Sequence, residues 1–229
     1  VKEQGVPDDH IILLVYDDIP EDQRNKKPGE VYHTPGEMEV RKQASPDYIG
    51  DMVNKQMFRG ILTGTGYTKD VRHLQSDENS TVLLYLSSHS TPGGSLIIGN
   101  GKEQISPEEF SSLIEDMARK QKFGRMLIIL ESCYSEATAH HVKSPGVVVM
   151  SAASLNETSK SAIFDGELDT WLSDEFTAQL IANIRNADRT TSLRSLYQDV
   201  YHDVRSSHPR ITYDSPLLDI PALTFFGGI

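Results

Sequence analysis

The sequence predicts an α/β protein built on a mostly parallel β-sheet with helices on both faces. Three continuous apolar runs lead there: Thr81-Val-Leu-Leu-Tyr-Leu-Ser87, Arg125-Met-Leu-Ile-Ile-Leu-Glu131 and Gly146-Val-Val-Val-Met150. Runs without apolar–polar alternation belong to strands that are covered on both sides. Segments with helical spacing lie between and after them, the pattern of parallel strands joined by crossover helices. With 229 residues and 38% hydrophobic content, the chain is long enough for one large domain, expected over residues 1–229.

The elements follow in order. His10-Ile-Ile-Leu-Leu-Val-Tyr16 reads as the first visible strand, stopped by Asp17-Asp18-Ile19-Pro20. Residues 19–50 carry many charges, little periodicity and five prolines or glycines between Pro20 and Gly36. An excursion of that length is usually functional or mobile. Asp51 to Thr63 reads as a helix, with Met52, Val53, Met57, Phe58, Ile61 and Leu62 near helical spacing.

The first continuous run then leads into His89. Ser90-Thr-Pro-Gly-Gly-Ser95 is a turn, and Leu96-Ile-Ile98 before Gly99-Asn-Gly101 reads as a short hairpin. Ser106 as N-cap, Pro107 at N1 and Glu109 at N3 start a helix that runs to about Gln121. The second run ends in Cys133 and the third follows at 146–150. Helices are expected over 171–186 and 192–206. Leu223-Thr-Phe-Phe226 reads as a strand or an exposed tail.

Composition narrows the function. Lys+Arg total 22 against Asp+Glu 33, and the resulting charge of −11 argues against a nucleic-acid partner. Cys133 is the only cysteine, which excludes an intrachain disulfide and a multi-cysteine zinc site. No apolar stretch approaches the ~18 residues of a membrane span.

His89 and Cys133 therefore attract the chemistry. Both end strands of the buried parallel type, and open sheets bind ligands at the carboxyl ends of their strands. A thiol needs deprotonation to become a strong nucleophile, and a histidine takes that proton and later protonates a leaving amine. Backbone amides of the Ser90–Gly94 turn and of Cys133 are the candidate oxyanion donors. The plainer reading makes Cys133 a small buried hydrophobe and His89 a structural histidine. His140-His141 lacks a carboxylate at the HExxH spacing and reads as a solvated loop, so neither metal nor cofactor is expected. The absence of a GxSxG elbow ranks a serine nucleophile behind the thiol.

Several ordered segments resemble the legumain (asparaginyl endopeptidase) family of caspase-like cysteine peptidases. They are Gly5 to Ile19, Pro28-Gly-Glu-Val-Tyr32, Asp47-Tyr-Ile-Gly-Asp51, Leu84-Tyr-Leu-Ser-Ser-His89, Glu131-Ser-Cys133-Tyr-Ser135 and Ser151-Ala-Ala-Ser154. The resemblance implies a caspase-like fold and hydrolysis after asparagine, secondarily aspartate. It makes Cys133 the nucleophile and His89 the acid/base, with Ser90 and Cys133 as oxyanion donors. Glu131, Thr158, Ser159 and Asp174 would line the primary specificity pocket. The implied partners are peptides or proteins with asparagine before the cleaved bond, and protein inhibitors of the cystatin type. The implied setting is lysosomal, vacuolar or secreted, with Asn79-Ser-Thr81 as a glycosylation sequon.

The chain departs from that family at four places. The family's opening strand, which carries an Asn and an Arg-His pair, has no counterpart here, and neither does its prodomain, so a catalytic core without them is expected. Ser88 replaces an Asp that cyclises, which predicts weak ligation. Ser90 replaces a Gly whose amide serves the oxyanion. Two alternatives stay open: the catalytic subunit of glycosylphosphatidylinositol transamidase, a related group that carries Asp-Thr-Cys at its nucleophile, and a non-catalytic peptide-binding fragment.

Overall fold

In the computed structural model, residues 1–65, 71–212 and 215–227 are described. A 3-10 turn at Asp8–His10 precedes β1 (Leu14–Val15), which pairs in parallel with β2 (Tyr48–Ile49). The run expected as one strand from His10 is thus extended but mostly unpaired. Among the described residues its only ladder is with the far end of the excursion, where the Leu13 amide also donates to the Asp47 carboxylate at 2.8 Å. Helix α1 (Lys55–Thr63) begins later than its apolar spacing suggests, because the Asn54 side chain accepts from the Met57 amide at 2.9 Å and caps it there.

The central sheet holds the three continuous runs. β3 (Thr81–Ser87), β6 (Arg125–Glu131) and β7 (Val147–Ser151) are parallel, and β10 (Arg210–Ile211) runs antiparallel on β7. The order is β10-β7-β6-β3, and among the described residues β3 pairs with β6 alone in this sheet. Between β3 and β6 lie the hairpin of β4 (Leu96–Ile98) with β5 (Glu103–Ile105) and helix α2 (Pro107–Arg119). The Ser106–Glu109 capping box forms as read: the Glu109 amide donates to Ser106 Oγ and the Ser106 amide to Glu109 Oε2 at 2.9 Å.

Side-chain alternation along each strand feeds two cores. On one face Met126, Ile128, Leu130, Val147 and Val149 pack with Phe58 and Leu62 of α1 and Phe110, Leu113, Ile114 and Met117 of α2. On the other, Leu127, Ile129, Val148 and Met150 meet α4 (Glu175–Asn186), α5 (Leu193–Asp203) and α6 (Leu223–Phe226). The helices-on-both-faces expectation is met.

Two further elements differ from the sequence expectation. Residues 170–174 are strand β9 (Thr170–Asp174), paired antiparallel with β8 (Ser161–Asp165), so the helix expected from 171 starts only at Glu175. The last apolar run is neither strand nor exposed tail: it is helical, with Leu223, Phe225 and Phe226 buried. A four-residue apolar run has no period of its own, and burial against the sheet decides its form. No helix among the described residues is long and apolar enough to cross a membrane.

Candidate active site

The β3–β6 ladder ends at the pair Ser87–Glu131, and the Ser88 amide extends it by donating to the Glu131 carbonyl at 3.1 Å. His89 and Cys133 each stand two residues beyond that pair. Adjacent strands lie roughly 4.8 Å apart, so equal offsets in a parallel register deliver both residues to one end of the sheet. Cys133 is half-buried, with Sγ 4.0 Å from the Ser159 carbonyl oxygen. Immediately after it, Tyr134 adopts φ 52, left-handed for a side-chain-bearing residue, and the chain turns sharply into α3 (Ser135–Ala139). That turn is held from outside: the Tyr134 amide donates to the Glu157 carbonyl at 2.7 Å and the Glu136 amide to the Ala153 carbonyl at 3.0 Å.

The Ser90–Ser95 turn is fastened to the nucleophile segment at both ends. Ser90 Oγ donates to the Cys133 carbonyl, and Thr138 Oγ1 donates to the Gly94 carbonyl at 2.6 Å. Gly94 has φ +83, and a Cβ there would stand 2.8 Å from Ala137 Cβ, so both conformation and space call for glycine. Around Ser90, Thr91 donates to Ser95 at 3.0 Å and Ile97 to His89 at 2.9 Å. These two bonds flank Ser90 and leave its own N–H on the side away from Leu96.

Glu131, Ser159 and Asp174 cluster beside the thiol. The Glu131 carboxylate is buried, with Oε2 accepting from the Thr177 amide at 3.1 Å and from Thr177 Oγ1 at 2.8 Å. Oε1 is buried without a hydrogen-bond partner. A threonine on α4 is what compensates this carboxylate. Burial, and then the nearby Asp174, push Glu131 up to about 7, against the pull of Thr177 and Ser159. Asp174 is the N-cap residue of α4, yet its side chain makes no capping hydrogen bond. Its carboxyl is also pushed up by burial, with His89 and His33 pulling it back. Thr158 is half-buried beside Ser159, and no hydrogen bond ties it to Glu131, Asp174 or Cys133.

Three neighbours escaped the sequence. His33 comes in from the long excursion, with Nε2 3.1 Å from Ser173 Oγ. Ser173, at φ 56, is the residue before Asp174. Thr177, four residues past Ser173, holds Glu131. The unusual length of the excursion was the only signal for His33. His140 and His141 face carboxylates instead of each other, at 3.4 Å from Glu136 and 3.8 Å from Glu108.

A thiol and an imidazole at one sheet end, two acidic side chains beside them and an amide-bearing turn across from them suit attack on a peptide carbonyl. Comparison with known proteins agrees with this class. The profile of the Peptidase C13 family matches residues 1–227. The chain belongs to the Peptidase C13 family.

Within it, the chain is similar to a putative GPI-anchor transamidase of Caenorhabditis elegans, 29% identical over 77% of this chain and 56% of that one. It is 28% identical to the human GPI-anchor transamidase over 86% of this chain and 51% of the relative. The delta-isozyme of the vacuolar-processing enzyme of Arabidopsis thaliana is 26% identical over 90% of this chain and 46% of its own. The C13 chain thus spans about half the length of the curated relatives it matches. Among solved structures, a Geobacter sulfurreducens protein, GSU0716, shares the fold with a TM-score of 0.51 at 14% identity, covering 77% of this chain and 81% of that one.

Proposed function

We propose that this C13 chain is a thiol acyl-transfer enzyme acting on peptide bonds, and that residues 1–229 form one catalytic domain. The observation that carries the reading is the parallel register that leads His89 and Cys133 off neighbouring strands at the same end. The Cys133 thiolate attacks the peptide carbonyl carbon, and the amides of Ser90 and Cys133 receive the oxyanion. The C–N bond breaks as His89 passes a proton to the leaving amine, which leaves a thioester. An acceptor then attacks the thioester, His89 takes its proton, and the C–S bond breaks to restore the thiolate.

The residue before the cleaved bond is read from the pocket. An asparagine side chain offers two N–H donors, and the buried carboxylate of Glu131 and the half-buried one of Asp174 can accept them. Ser159 completes this wall, and Thr158 stands with it. Asparagine is the proposed residue, and aspartate is admitted when a pocket carboxyl is protonated. A vacuolar, lysosomal or secreted setting and cystatin-type protein inhibitors belong to the same proposal. The vacuolar-processing relative supports that setting.

The acceptor is the point on which the relatives reorder the sequence reading. Transamidases at 28–29% identity favour an amine acceptor over the water of a plain endopeptidase. Ser88 in place of a cyclising Asp predicts weak ligation, and the amine acceptor favoured by the relatives runs against that expectation. The deciding experiment incubates the chain with an Ala-Ala-Asn peptide reporter, with and without hydroxylamine, and follows products by mass spectrometry. The hydroxamate is expected as the main product, and Cys133→Ala is expected to form none. Acid product alone at high hydroxylamine would return the endopeptidase reading. Failure of an asparagine-directed epoxide to alkylate Cys133 would leave a peptide-binding module.

A further inference from the structure

Residues 26–34 of the excursion lie along the β8–β9 hairpin. Near its tip Lys27 pairs with Glu167 at 3.0 Å and Lys26 with Asp169 at 3.4 Å. Lys27 Nζ also stands 4.9 Å from the centroid of the Tyr32 ring, which joins the ion pairs to the residue before His33. At the base of the hairpin, beside the pocket, the imidazole of His33 is held at both nitrogens: Nδ1 is 3.1 Å from Thr34 Oγ1 and Nε2 is 3.1 Å from Ser173 Oγ.

The residue it reaches is under strain. Ser173 has φ 56, a left-handed conformation that disfavours a residue with a Cβ and persists only where surroundings hold it. Its hydroxyl also lies 3.2 Å from the Asp174 carbonyl oxygen. The left-handed residue sets the direction in which Asp174 leaves the hairpin, just before α4 begins. His33 is therefore attached to the hinge of a pocket carboxylate.

We propose that His33 is a positioning residue for substrate specificity: through Ser173 it fixes the Asp174 carboxylate for the side chain of the residue before the cleaved bond. This rests on the acyl-transfer reading above. The excursion becomes a wall of the pocket, stapled at the hairpin tip by two lysines and at its base by one histidine. The titratable groups that bear on Asp174 are His33 and His89, with Glu131 as the neighbouring carboxyl.

The test compares His33→Ala and His33→Gln in the whole chain with an Ala-Ala-Asn reporter. His33→Ala is expected to raise KM roughly tenfold, the loss of one positioning hydrogen bond, with kcat changed less than about twofold. His33→Gln, whose amide still reaches a hydroxyl, is expected to recover most of it. Alkylation of Cys133 by iodoacetamide, which needs no pocket, is expected to stay at the wild-type rate. A KM within about twofold of wild type in His33→Ala overturns the proposal, and so does an equal loss in the iodoacetamide reaction. Hydrogen exchange supplies an arm independent of turnover: amides 170–174 should exchange faster in His33→Ala, and unchanged exchange overturns the proposal. A wild-type chain that cleaves no asparagine reporter refutes the acyl-transfer reading, while the exchange result still decides the part played by His33.

Discussion

The hydroxyl of Ser90 donates to the carbonyl oxygen of Cys133, and so links the turn after the His89 strand to the turn after the Cys133 strand. A glycine at this position would offer the same backbone N–H without the link. In this chain the two halves of the site are tied by a side chain, and Thr138 to Gly94 repeats the tie one turn of α3 later.

Ser90→Ala removes the first tie and leaves the amide in place. Activity toward an asparagine reporter is expected to fall about three- to tenfold, mainly in kcat, with about 1 kcal/mol lost in denaturant unfolding. Ser90→Thr keeps the hydroxyl and should stay near wild type. Equal kinetics for the alanine and wild-type chains would show that the tie does nothing for the site.

Gly94→Ala tests the second tie. The new Cβ meets Ala137 and a φ of +83 that alanine resists. Destabilisation of about 1–3 kcal/mol is expected, together with a loss of reporter cleavage larger than that of Ser90→Ala. A thermal melt and kinetics on one preparation check both.

Cys133→Ala is expected to abolish turnover, and His89→Ala to reduce it by roughly a hundredfold or more, the usual worth of a general acid–base. Both should melt near the wild-type temperature, since Cys133 is half-buried and His89 exposed. Retained turnover in either variant would move the chemistry elsewhere.

The pocket predicts a pH-dependent preference. Glu131 sits at about 7 because burial and Asp174 oppose its charge. Below that value it is mostly a neutral carboxyl that donates, which suits an aspartate side chain. Above it, the carboxylate accepts from asparagine. The ratio of kcat/KM for aspartate over asparagine reporters is expected to fall as pH rises through about 7. Glu131→Gln should flatten that dependence, and a ratio that is level across pH 5–8 in the wild type would remove Glu131 from the choice.

The same group makes a stability prediction. Its ordinary value is about 4.3, so the folded pKa is raised. The advantage of the neutral buried form is fully present below about pH 4 and is lost as pH climbs through about 7. Glu131→Gln is expected to be more stable than wild type above pH 7, by on the order of 2 kcal/mol, and to converge on it near pH 4. Urea unfolding at the two pH values measures the difference, and a gap independent of pH would contradict the raised value.

The central strands and the α2 cap were readable because their signals are local. Leu127 and Ile128 sit in one continuous apolar run, and side-chain alternation sends them to opposite cores. Ser106 and Glu109 are three residues apart and meet within one helical turn. The β8–β9 hairpin was missed for the opposite reason. Phe164 and Trp171 are exposed, packed edge to face at 5.6 Å, and their run carries no buried stripe to show a strand. Its pairing, Phe164 with Trp171, exists only once the chain has folded back.

From the sequence alone came the strand-end positions of His89 and Cys133 and the parallel α/β plan, both a matter of order and spacing along the chain, which periodicity records. The acidic residues Glu131 and Asp174 stood out only through the resemblance to the legumain family. The tertiary structure decided how those pieces meet. It made Thr177 the partner of Glu131. It brought His33 across 140 positions of sequence to Ser173. Such contacts depend on how long segments close on one another, and residue order carries no local trace of that closure.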